Sequence, residues 1–339
     1  MGTAAVVVTD FTPGTGGDKV RLSGDDGSLL SLLSGWDGSS NPFGSGFLRL
    51  QQDGADTLLQ WDQDGTAGGS NWETLAVFEN TDAGDFTDAN FEPGYDPAGS
   101  TPAGETITGT SGDETLIGTI GGDTIDALGG GDTVFGRAGA DLIDGGDGND
   151  FLHGEADDDN AEGGNGDDFL WGGDGEDALS GQAGSDTVFG ENGDDQLSGG
   201  GDNDSLEGGD GADSLMGDDG DDFLTGGLGS DDLTGGAGAD AFFLESDAHG
   251  PDEIADFLSG TDKVYVSASG FGGGLSPQGE VSLVSGTDPA ASEASGQFLY
   301  DTDDGNLYWD ADGTGGGAAV LVATFTNLPS LQASDFIVI

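Results

Sequence analysis

Apolar residues recur at every ninth position through residues 109–243, without insertion or deletion over fifteen nonapeptides. The consensus of the nonapeptides is Gly-Gly-x-Gly-x-Asp-x-U-x, in which U is apolar, as in residues 163–171 and 172–180. Glycines at positions 1, 2 and 4 permit positive φ angles and a tight turn. The three residues x-U-x predict a short strand whose middle side chain points away from its neighbours. The unbroken period therefore predicts a stacked, repetitive fold.

The U positions predict the core of this fold. We expect two nonapeptides to complete one turn of a flattened coil, so that residues eighteen apart stack at about 4.8 Å. The interior would then be thin, too narrow to fold this length of chain by burial alone. The U residues are Leu116, Ile125, Val134, Ile143, Leu152, Leu170, Leu179, Val188, Leu197, Leu206, Leu215, Leu224, Leu233 and Phe242.

Carboxylates at position 6 predict how a metal supplies the missing stability. Glu114 stands at this position in the first repeat, and Asp in the other fourteen. Stacked turns place these side chains in a row beside carbonyl groups that a glycine turn leaves free. Oxygen ligands on a flexible turn suit Ca²⁺ better than Mg²⁺ or a transition metal. The candidate metal ligands are Asp123, Asp132, Asp141, Asp150, Asp159, Asp168, Asp177, Asp186, Asp195, Asp204, Asp213, Asp222, Asp231 and Asp240.

The nonapeptide resembles the calcium-binding repeat of the repeats-in-toxin (RTX) family. The resemblance covers 135 of the 339 residues. It implies a parallel β-roll in which each ion lies between two turns eighteen residues apart and shares an Asp and carbonyls from both. Eight odd-numbered and seven even-numbered turns would then hold up to about thirteen Ca²⁺ ions. The alternative is a disordered tract rich in Asp and Gly, which composition alone favours and the unbroken register opposes.

The charge balance limits the partners of the chain. There are 67 acidic and 5 basic residues, and the net charge is −62. Nucleic acids and anionic membranes need a basic surface, so both are excluded as direct partners. No apolar stretch approaches the length of a membrane span, which argues against membrane insertion. Without counter-ions such a charge holds a chain expanded, so we expect calcium to be a folding partner.

The termini and the absence of cysteine bear on the route of export. The chain has no cysteine to form a disulfide framework, and residues 1–20 show no cleavable signal. The RTX resemblance implies export through the type I secretion machinery of a Gram-negative bacterium, with an uncleaved carboxy-terminal signal. Residues 334–339 resemble such an ending, although a buried final strand would look the same. The predicted location is extracellular or on the cell surface.

The segments flanking the repeats predict two small β domains. Residues 1–91 alternate apolar runs with turn residues, and residues 46–51 and 57–61 predict a hairpin around Asp-Gly. Residues 92–103 carry three prolines and read as a linker. The predicted architecture is all-β: a first β module at 1–91, a calcium-stabilised parallel β-roll at 104–243, and a second copy of the module at 244–339 that carries the secretion signal.

Three motifs in the same order support this duplication. Asp10-Phe11 and the run Asp18-Lys-Val match Asp256-Phe257 and Asp262-Lys-Val, and the Trp-Asp-x-Asp-Gly-Thr motif at Trp61 recurs at Trp309. The neighbouring Phe47 corresponds to Phe298, and the run Ser334-Asp-Phe336 corresponds to either Asp85-Phe86 or Ala89-Asn-Phe91. Both copies resemble the carboxy-terminal target domain of type I-secreted RTX proteins.

Two further acidic pairs stand in these modules. Asp62 with Asp64, and Asp310 with Asp312, could bind calcium in a DxDG loop. They do not complete an EF-hand, because Gly falls at the fourth position instead of the sixth. A plain hairpin turn explains them equally well.

Catalytic signatures are hard to find in this sequence. There are two histidines, His153 and His249, and neither the H-E-x-x-H pattern of zinc proteases nor the Gly-x-Ser-x-Gly elbow of lipases is present. Aspartates on glycine turns are better explained by metal ligation than by glycosidase chemistry, and His153 reads as a surface residue. The sequence therefore predicts a protein that is not an enzyme.

Three functional hypotheses follow. The first is a structural or adhesive extracellular protein, such as a surface-layer, matrix or filament subunit that assembles with calcium. The second is the export and folding portion of a longer RTX toxin, adhesin or hydrolase. The third is a calcium-dependent hydrolase of unrecognised type.

Aromatic residues predict a docking surface on one side of the roll. Positions 7 and 9 flank the inward U and point outward. In odd-numbered repeats, which should form one sheet, many of them are aromatic, so we expect self-association through this sheet. We call these residues the aromatic face: Phe135, Phe151, Phe169, Trp171, Phe189, Phe223 and Phe243.

One repeat departs from the consensus. Residues 154–162 lack glycine at positions 2 and 4 and carry only Ala161 at the U position. We expect this turn to bind calcium least well and to be the place where local opening begins.

Overall fold

The computed structural model describes residues 6–8, 20–21, 48–53, 56–61, 73–78, 91–92 and 104–339. Two compact units divide the chain. One contains the amino-terminal strands with residues 118–124 and 136–139, and the other contains residues 107–117, 125–135 and 140–339. The regular secondary structure of the described residues is almost entirely β-strand, with a four-residue helix, α1, at Ala268–Phe271 and a 3-10 turn at Ala333–Asp335.

The strand bounds follow the repeats closely. The amino-terminal strands are β1 Val6–Val8, β2 Val20–Arg21, β3 Leu48–Asp53, β4 Asp56–Trp61, β5 Glu73–Phe78 and β6 Phe91–Glu92. The repeat strands are β7 Thr106–Thr108, β8 Thr115–Ile117, β9 Thr124–Asp126, β10 Thr133–Ala138, β11 Leu142–Asp147, β12 Phe151–Ala156, β13 Asn160–Asn165, β14 Phe169–Asp174, β15 Ala178–Ala183, β16 Thr187–Asn192, β17 Gln196–Gly201, β18 Ser205–Asp210, β19 Ser214–Asp219, β20 Phe223–Leu228, β21 Asp232–Ala237 and β22 Ala241–Leu244. The carboxy-terminal strands are β23 Asp252–Ile254, β24 Lys263–Val266, β25 Leu283–Gly286, β26 Gln297–Asp301, β27 Asn306–Asp310, β28 Val320–Phe325 and β29 Phe336–Val338.

The repeats form a parallel β-roll with two sheets, as the nonapeptide period predicts. Strands of odd-numbered repeats, β8 to β22 in steps of two, lie side by side in one sheet, and strands of even-numbered repeats lie in the other. Paired residues are eighteen apart, as Leu152 is from Leu170 and Leu179 is from Leu197. The predicted fold class, an all-β parallel roll, is confirmed.

The predicted core is also confirmed, with one weaker position. From Ile125 to Phe242 the U residues are at most 3 % exposed, and Ala161 takes its place among them. Leu116, near the start of the roll, is only partly buried. Because each turn contributes a single apolar side chain per sheet, the interior is one side chain thick.

The predicted strand length was wrong. Strands β10 to β21 have six residues instead of three, because parallel pairing continues into the next repeat. Gly146 pairs with Gly164, and Asp147 pairs with Asn165, at repeat positions 2 and 3. The glycines at the start of each repeat therefore belong to the strands, and the turn is confined to positions 4 to 6.

The backbone of most repeats has positive φ at position 2, within the strand, and at position 4, within the turn. Gly148, at position 4, has φ 138°, and a Cβ on Gly164, at position 2, would overlap the carbonyl of the preceding turn. Other residue types at these positions are held in the same left-handed region. At position 2 these are Leu128, Arg137, Glu155, Gln182, Glu191 and Asp218, and at position 4 they are Asp157 and Asp202.

Both sheets of the roll continue beyond the repeats. Strand β23 pairs in parallel with β21, and β24 pairs in parallel with β22. Strands β28 and β29 then extend the two sheets, and the antiparallel pairs β26–β27 and β27–β28 complete the segment. The predicted limits of the domains stay predictions.

The described amino-terminal strands include the predicted hairpin. Strands β3 and β4 pair antiparallel, with Leu48 opposite Trp61 and Asp53 opposite Asp56. Leu48 and Leu59 are buried. The predicted linker 92–103 and the loop at Asp62 and Asp64 lie outside the described residues, apart from Glu92 at the end of β6.

Candidate calcium-binding turns

The position-6 aspartates form two buried rows along the roll. All fourteen are at most 4 % exposed. In each row, the backbone N–H of one aspartate donates to Oδ1 of the aspartate eighteen residues later, as from Asp150 to Asp168 at 2.8 Å and from Asp177 to Asp195 at 2.8 Å. Each carboxylate therefore joins two consecutive turns.

The second oxygen has no such partner in most of these carboxylates. In the described part of the chain, Oδ2 of eleven aspartates is buried and accepts no hydrogen bond. A buried carboxylate oxygen is costly unless a hydrogen bond or a cation compensates for its lost hydration. These oxygens belong to Asp132, Asp150, Asp159, Asp168, Asp177, Asp186, Asp195, Asp204, Asp213, Asp222 and Asp231.

A main-chain carbonyl converges on seven of these oxygens at the first glycine of the repeat. A Cβ built on Gly145 would lie 2.6 Å from the carbonyl oxygen of Gly163 and 2.7 Å from Oδ2 of Asp150. The same carboxylate–carbonyl pair surrounds Gly154, Gly163, Gly172, Gly190, Gly208 and Gly217. Glycine at position 1 thus keeps open a cradle lined by oxygen atoms from two turns.

The donor set of the cradle suits a hard cation. Among the described residues, no three Asp, Glu, His or Cys side chains converge in a cluster that could hold a metal. A site at this cradle would therefore combine one or two carboxylates with main-chain carbonyls. Such an all-oxygen set is typical of Ca²⁺, which tolerates irregular geometry and carbonyl ligands. The residues present thus fit the ion that the repeat implies.

Comparison with known proteins identifies the repeats. Residues 108–242 match the family model of the RTX calcium-binding nonapeptide repeat, in overlapping segments that begin at 108–143 and end at 207–242. These residues are RTX repeats. The repeats imply that the chain binds calcium. Since the matched segment is shorter than half of the chain, the flanking segments take no assignment from it.

A solved structure is similar to part of the chain. It is the solution structure of a subunit of the Azotobacter vinelandii mannuronan C5-epimerase, with 27 % sequence identity over 44 % of this chain and 80 % of that one, and a TM-score of 0.30. The search of curated proteins gave no match. Among helices in the described ranges, none is long and apolar enough to cross a membrane.

Burial shifts the pKa values of the RTX aspartates upward. Burial raises the pKa of Asp159 to about 8, although the hydrogen bond from the backbone of Asp141 lowers it, and the nearby carboxylates of Asp141 and Asp177 raise it further. The same causes raise the pKa of Asp168 and Asp213 to about 7. Without a cation, burial therefore shifts these three aspartates towards the protonated form.

The two rows of buried aspartates continue beyond the last repeat. Oδ1 of Asp252 accepts a 3.4 Å hydrogen bond from the backbone of Asp231, and Oδ1 of Asp262 accepts one of 3.1 Å from Asp240. Their spacings of 21 and 22 residues break the period of eighteen, so the period did not reveal them. The sequence signal that remains for these two aspartates is local. Ile254 lies two residues after Asp252 and Val264 lies two residues after Asp262, as U lies two residues after position 6.

The aromatic face lies on the outer side of the odd-repeat sheet and stacks along the roll. Phe135, His153 and Trp171 stack with ring centroids 4.9 Å and 4.4 Å apart, and Phe189 follows at 5.8 Å. In the second row, Phe151 stacks on Phe169 at 5.2 Å. His153 is thus a half-buried member of a ring ladder, and burial lowers its pKa.

The carboxy-terminal DxDG loop uses its carboxylates in a turn. Oδ1 of Asp310 accepts a 2.9 Å hydrogen bond from the backbone of Gly313, and Oδ2 of Asp312 accepts from Gly316 and Gly317 at 3.1 Å. These bonds stabilise the hairpin turn and use one oxygen of each carboxylate.

Proposed function

We propose that this chain is a secreted, non-catalytic calcium-binding protein that folds on export and serves as a structural, self-assembling component outside the cell. The observation that carries the proposal is the row of buried Oδ2 atoms without hydrogen-bond partners. A chain of net charge −62 that buries these carboxylates needs cations to fold.

The position-6 aspartates, from Asp123 to Asp240, would hold the ions together with main-chain carbonyls of the glycine turns. Each ion would neutralise carboxylates of adjacent turns and join the two turns. A roll with all its cradles filled would hold up to about thirteen ions. Asp252 and Asp262 would provide the last carboxylate of each row.

Calcium affinity would then decide where the chain folds. Extracellular calcium modules bind at roughly 10⁻⁴ to 10⁻³ M, far above free calcium in the cytosol. The chain would stay expanded before export through the type I secretion machinery and fold outside a Gram-negative cell. RTX repeats are characteristic of secreted proteins, which supports this route.

Circular dichroism of the whole chain tests calcium-controlled folding. We expect little β signal with chelator and a cooperative gain of β signal at millimolar Ca²⁺, with a far smaller gain from Mg²⁺ at equal ionic strength. A β signal that is equally strong with chelator and with calcium would contradict the proposal.

The aromatic face supports self-association as the structural role. Phe151 and Phe169 are 43 % and 37 % exposed on the outer side of the odd-repeat sheet. They lie among other aromatic rings, and large exposed apolar patches mark interaction sites. Each aromatic ring can bury about 150–250 Å². A second copy placing the same face on this one would remove the ring edges from water.

A triple variant tests this contact. Replacing Phe151, Phe169 and Trp171 by Ser should dissolve calcium-dependent assemblies, measured by sedimentation, and leave calcium-induced folding intact. The matched control replaces Leu142 and Met216 by Ser, since both are exposed apolar residues on the even-repeat sheet. Assembly that is equal in the triple variant and the control would exclude the aromatic face.

The even-repeat sheet offers an observation against a glycosidase. A shallow depression of about 340 Å³ lies on its outer side, and Glu162 is the one carboxylate among the residues that line it. Glycosidases use a pair of carboxylates that flank the bond they cleave. The lining is otherwise Asn160, Ala178, Leu179, Ser180, Gln196, Leu197, Ser198, Ser214 and Met216.

The alternative function is the export and folding portion of a longer RTX toxin, adhesin or hydrolase. The strand order of the amino-terminal segment, which matches that of the carboxy-terminal segment, favours it. In that case, the aromatic face would contact another part of the longer protein, and the isolated chain would remain monomeric at millimolar calcium.

A further inference from the structure

The carboxy-terminal segment ends the RTX roll in a defined way. Strand β23 pairs with the last even-repeat strand, β21, and β24 pairs with the last odd-repeat strand, β22. Three carboxylates of this segment accept main-chain N–H groups of the final turns. Asp252 accepts from Asp231, Asp262 accepts from Asp240, and Asp256 accepts from Gly235 and Gly236.

The amino-terminal segment has the same strand connections. Its sheet has the order β1-β5-β4-β3, which corresponds to β23-β28-β27-β26, and the separate pair β2-β6 corresponds to β24-β29. Parallel and antiparallel pairings agree throughout. The match includes a break in register at Leu59 in β4 and at Leu307 in β27. Val20 pairs with Phe91 as Val264 pairs with Phe336.

In the carboxy-terminal segment, β23 and β24 pair with the roll. Their counterparts in the amino-terminal segment, β1 and β2, are edge strands. Among the described strands, β1 is the last one of its sheet, and β2 pairs with β6 alone. An edge strand presents unpaired N–H and C=O groups that can accept another strand. In the carboxy-terminal segment the equivalent edges accept two consecutive strands of the roll.

The sequence keeps two of the three carboxylates that accept N–H groups from the roll. Asp10 corresponds to Asp256, and Asp18 corresponds to Asp262. Both lie outside the described residues, so the correspondence is one of sequence alone. Val6 corresponds to Asp252, because Val6 pairs with Ala76 and Asp252 pairs with the equivalent residue, Ala323.

We propose that the amino-terminal segment is a cap for the carboxy-terminal end of a second RTX β-roll, joined ahead of it in the same polypeptide direction. The last even-repeat strand of that roll would pair with β1, and its last odd-repeat strand would pair with β2. In the sequence, Asp10 and Asp18 stand at the positions of Asp256 and Asp262, which accept N–H groups from the final turns of the natural roll. The proposal goes beyond the calcium-binding function, since it concerns what the flanking segment binds.

A second intact copy of the chain is excluded as the occupant by the same pairings. The carboxy-terminal end of its roll already pairs with its own β23 and β24. The end of an uncapped roll presents two consecutive strands that could pair in parallel with β1 and β2, as β21 and β22 pair with β23 and β24.

A fusion that retains the whole chain tests the proposal. Residues 104–246 are joined directly ahead of residue 1, which places Val6 where Asp252 stands after the natural roll. The two rolls then share one sequence, so hydrogen exchange with mass spectrometry reports both in the same peptides. We expect a single protected population at millimolar Ca²⁺. The fusion should also bind about twice the calcium of the unfused chain, as two complete rolls require.

Two variants of the fusion decide the role of the amino-terminal segment. Asp10→Ala with Asp18→Ala should give two populations, one protected and one exchanging at least tenfold faster. Asp256→Ala with Asp262→Ala is the reference, because it removes the equivalent contacts from the natural roll. The natural roll also serves as an internal control for calcium-dependent folding itself.

Three results would overturn the proposal. The first is two populations in the unaltered fusion. The second is a single protected population in the Asp10→Ala and Asp18→Ala fusion. The third is a dimer of the unfused chain that Asp10→Ala and Asp18→Ala abolish, since the occupant would then be a second copy.

Discussion

At the scale of the residue, the two oxygens of eleven position-6 aspartates have different roles. Oδ1 accepts a hydrogen bond from the preceding turn, as Asp195 accepts from Asp177, and Oδ2 faces the glycine cradle without a hydrogen-bond donor. A hydroxyl or an amide could replace the first function. Only an anionic or carbonyl oxygen could serve the second, which explains why Asp is used in fourteen repeats and Asn in none.

The first prediction separates these two roles. In Asp195→Asn, the amide oxygen can still accept the hydrogen bond from Asp177, but the amide nitrogen cannot bind a cation. We expect the loss of at least one bound Ca²⁺ and a decrease of about 2 kcal/mol in the free energy of unfolding at millimolar calcium. Calcium titration calorimetry and urea unfolding would measure the two effects.

The neighbouring Asp194 provides the control for that variant. It is exposed and accepts a 2.9 Å hydrogen bond from the backbone of Ala212. Asp194→Asn keeps that acceptor and removes the same charge, so calcium stoichiometry should stay unchanged. A loss of calcium equal in both variants would show that overall charge, and not the cradle, determines binding.

The second prediction concerns backbone strain in the irregular repeat. Glu155 has φ 81° at a position that glycine occupies in seven of the fifteen repeats. A non-glycine residue in this region costs about 1–2 kcal/mol, and the extra entropy of unfolded glycine offsets part of the gain. We expect Glu155→Gly to raise the free energy of unfolding by about 1 kcal/mol in calcium, as measured by urea unfolding.

Glu176→Gly is the matched control for Glu155→Gly. Glu176 is also an exposed glutamate of the repeats, but it lies in a turn and its φ is not positive. Glycine there brings only its entropic cost, so stability should fall by about 0.5–1 kcal/mol. If both variants shift stability in the same direction, strain at Glu155 is not the cause.

At the scale of the element, the sequence predicted the turn better than the strand. The nonapeptide period gave the two sheets, the eighteen-residue register and the inward residues. It did not give the six-residue strands, because glycines at positions 1 and 2 read as turn residues. In the roll, the positive φ angles at position 2 are compatible with continued parallel pairing, as between Gly146 and Gly164.

The candidate site was predictable as far as the repeats extend. Each position-6 aspartate lies in the buried row where the period placed it. Asp252 and Asp262 could not be found in this way, because insertions of three and four residues precede them. What preserves their place is the pairing of β23 and β24 with the roll, which depends on contacts distant in sequence.

The third prediction concerns the weakest turn. Residues 154–162 combine Glu155 and Asp157, both with positive φ, with the small Ala161 in the core. Local opening costs least where strain is stored and little apolar area is buried. We expect amides of 154–162 to exchange at least tenfold faster than those of 172–189 at limiting calcium, as measured by hydrogen exchange. Equal protection of the two segments would contradict this.

At the scale of the whole molecule, protons and calcium compete for the same rows. Burial raises the pKa of Asp159 to about 8, of Asp204 to about 7 and of Asp240 to about 6. An unfolded Asp has a pKa near 3.9. The folded apo chain thus binds more protons than the unfolded chain, so its stability from these groups is complete below about pH 4 and lost as the pH rises through 6 to 8.

The fourth prediction follows from this loss of stability with rising pH. With chelator, the β signal in circular dichroism should be stronger at pH 5 than at pH 8. With millimolar Ca²⁺ the order should reverse, because calcium binds the carboxylate form and must displace the protons. A chelated chain that is folded at pH 8 and unfolded at pH 5 would contradict the assigned pKa shifts.

The direction of the aspartate hydrogen bonds has a consequence for kinetics. Each N–H donates to the carboxylate of the following turn, and the last acceptors are Asp252 and Asp262. A turn is therefore complete only when its neighbour on the carboxy-terminal side is already in place. Folding of the roll should therefore nucleate at the carboxy-terminal segment, propagate turn by turn towards the amino terminus, and reach residue 104 last.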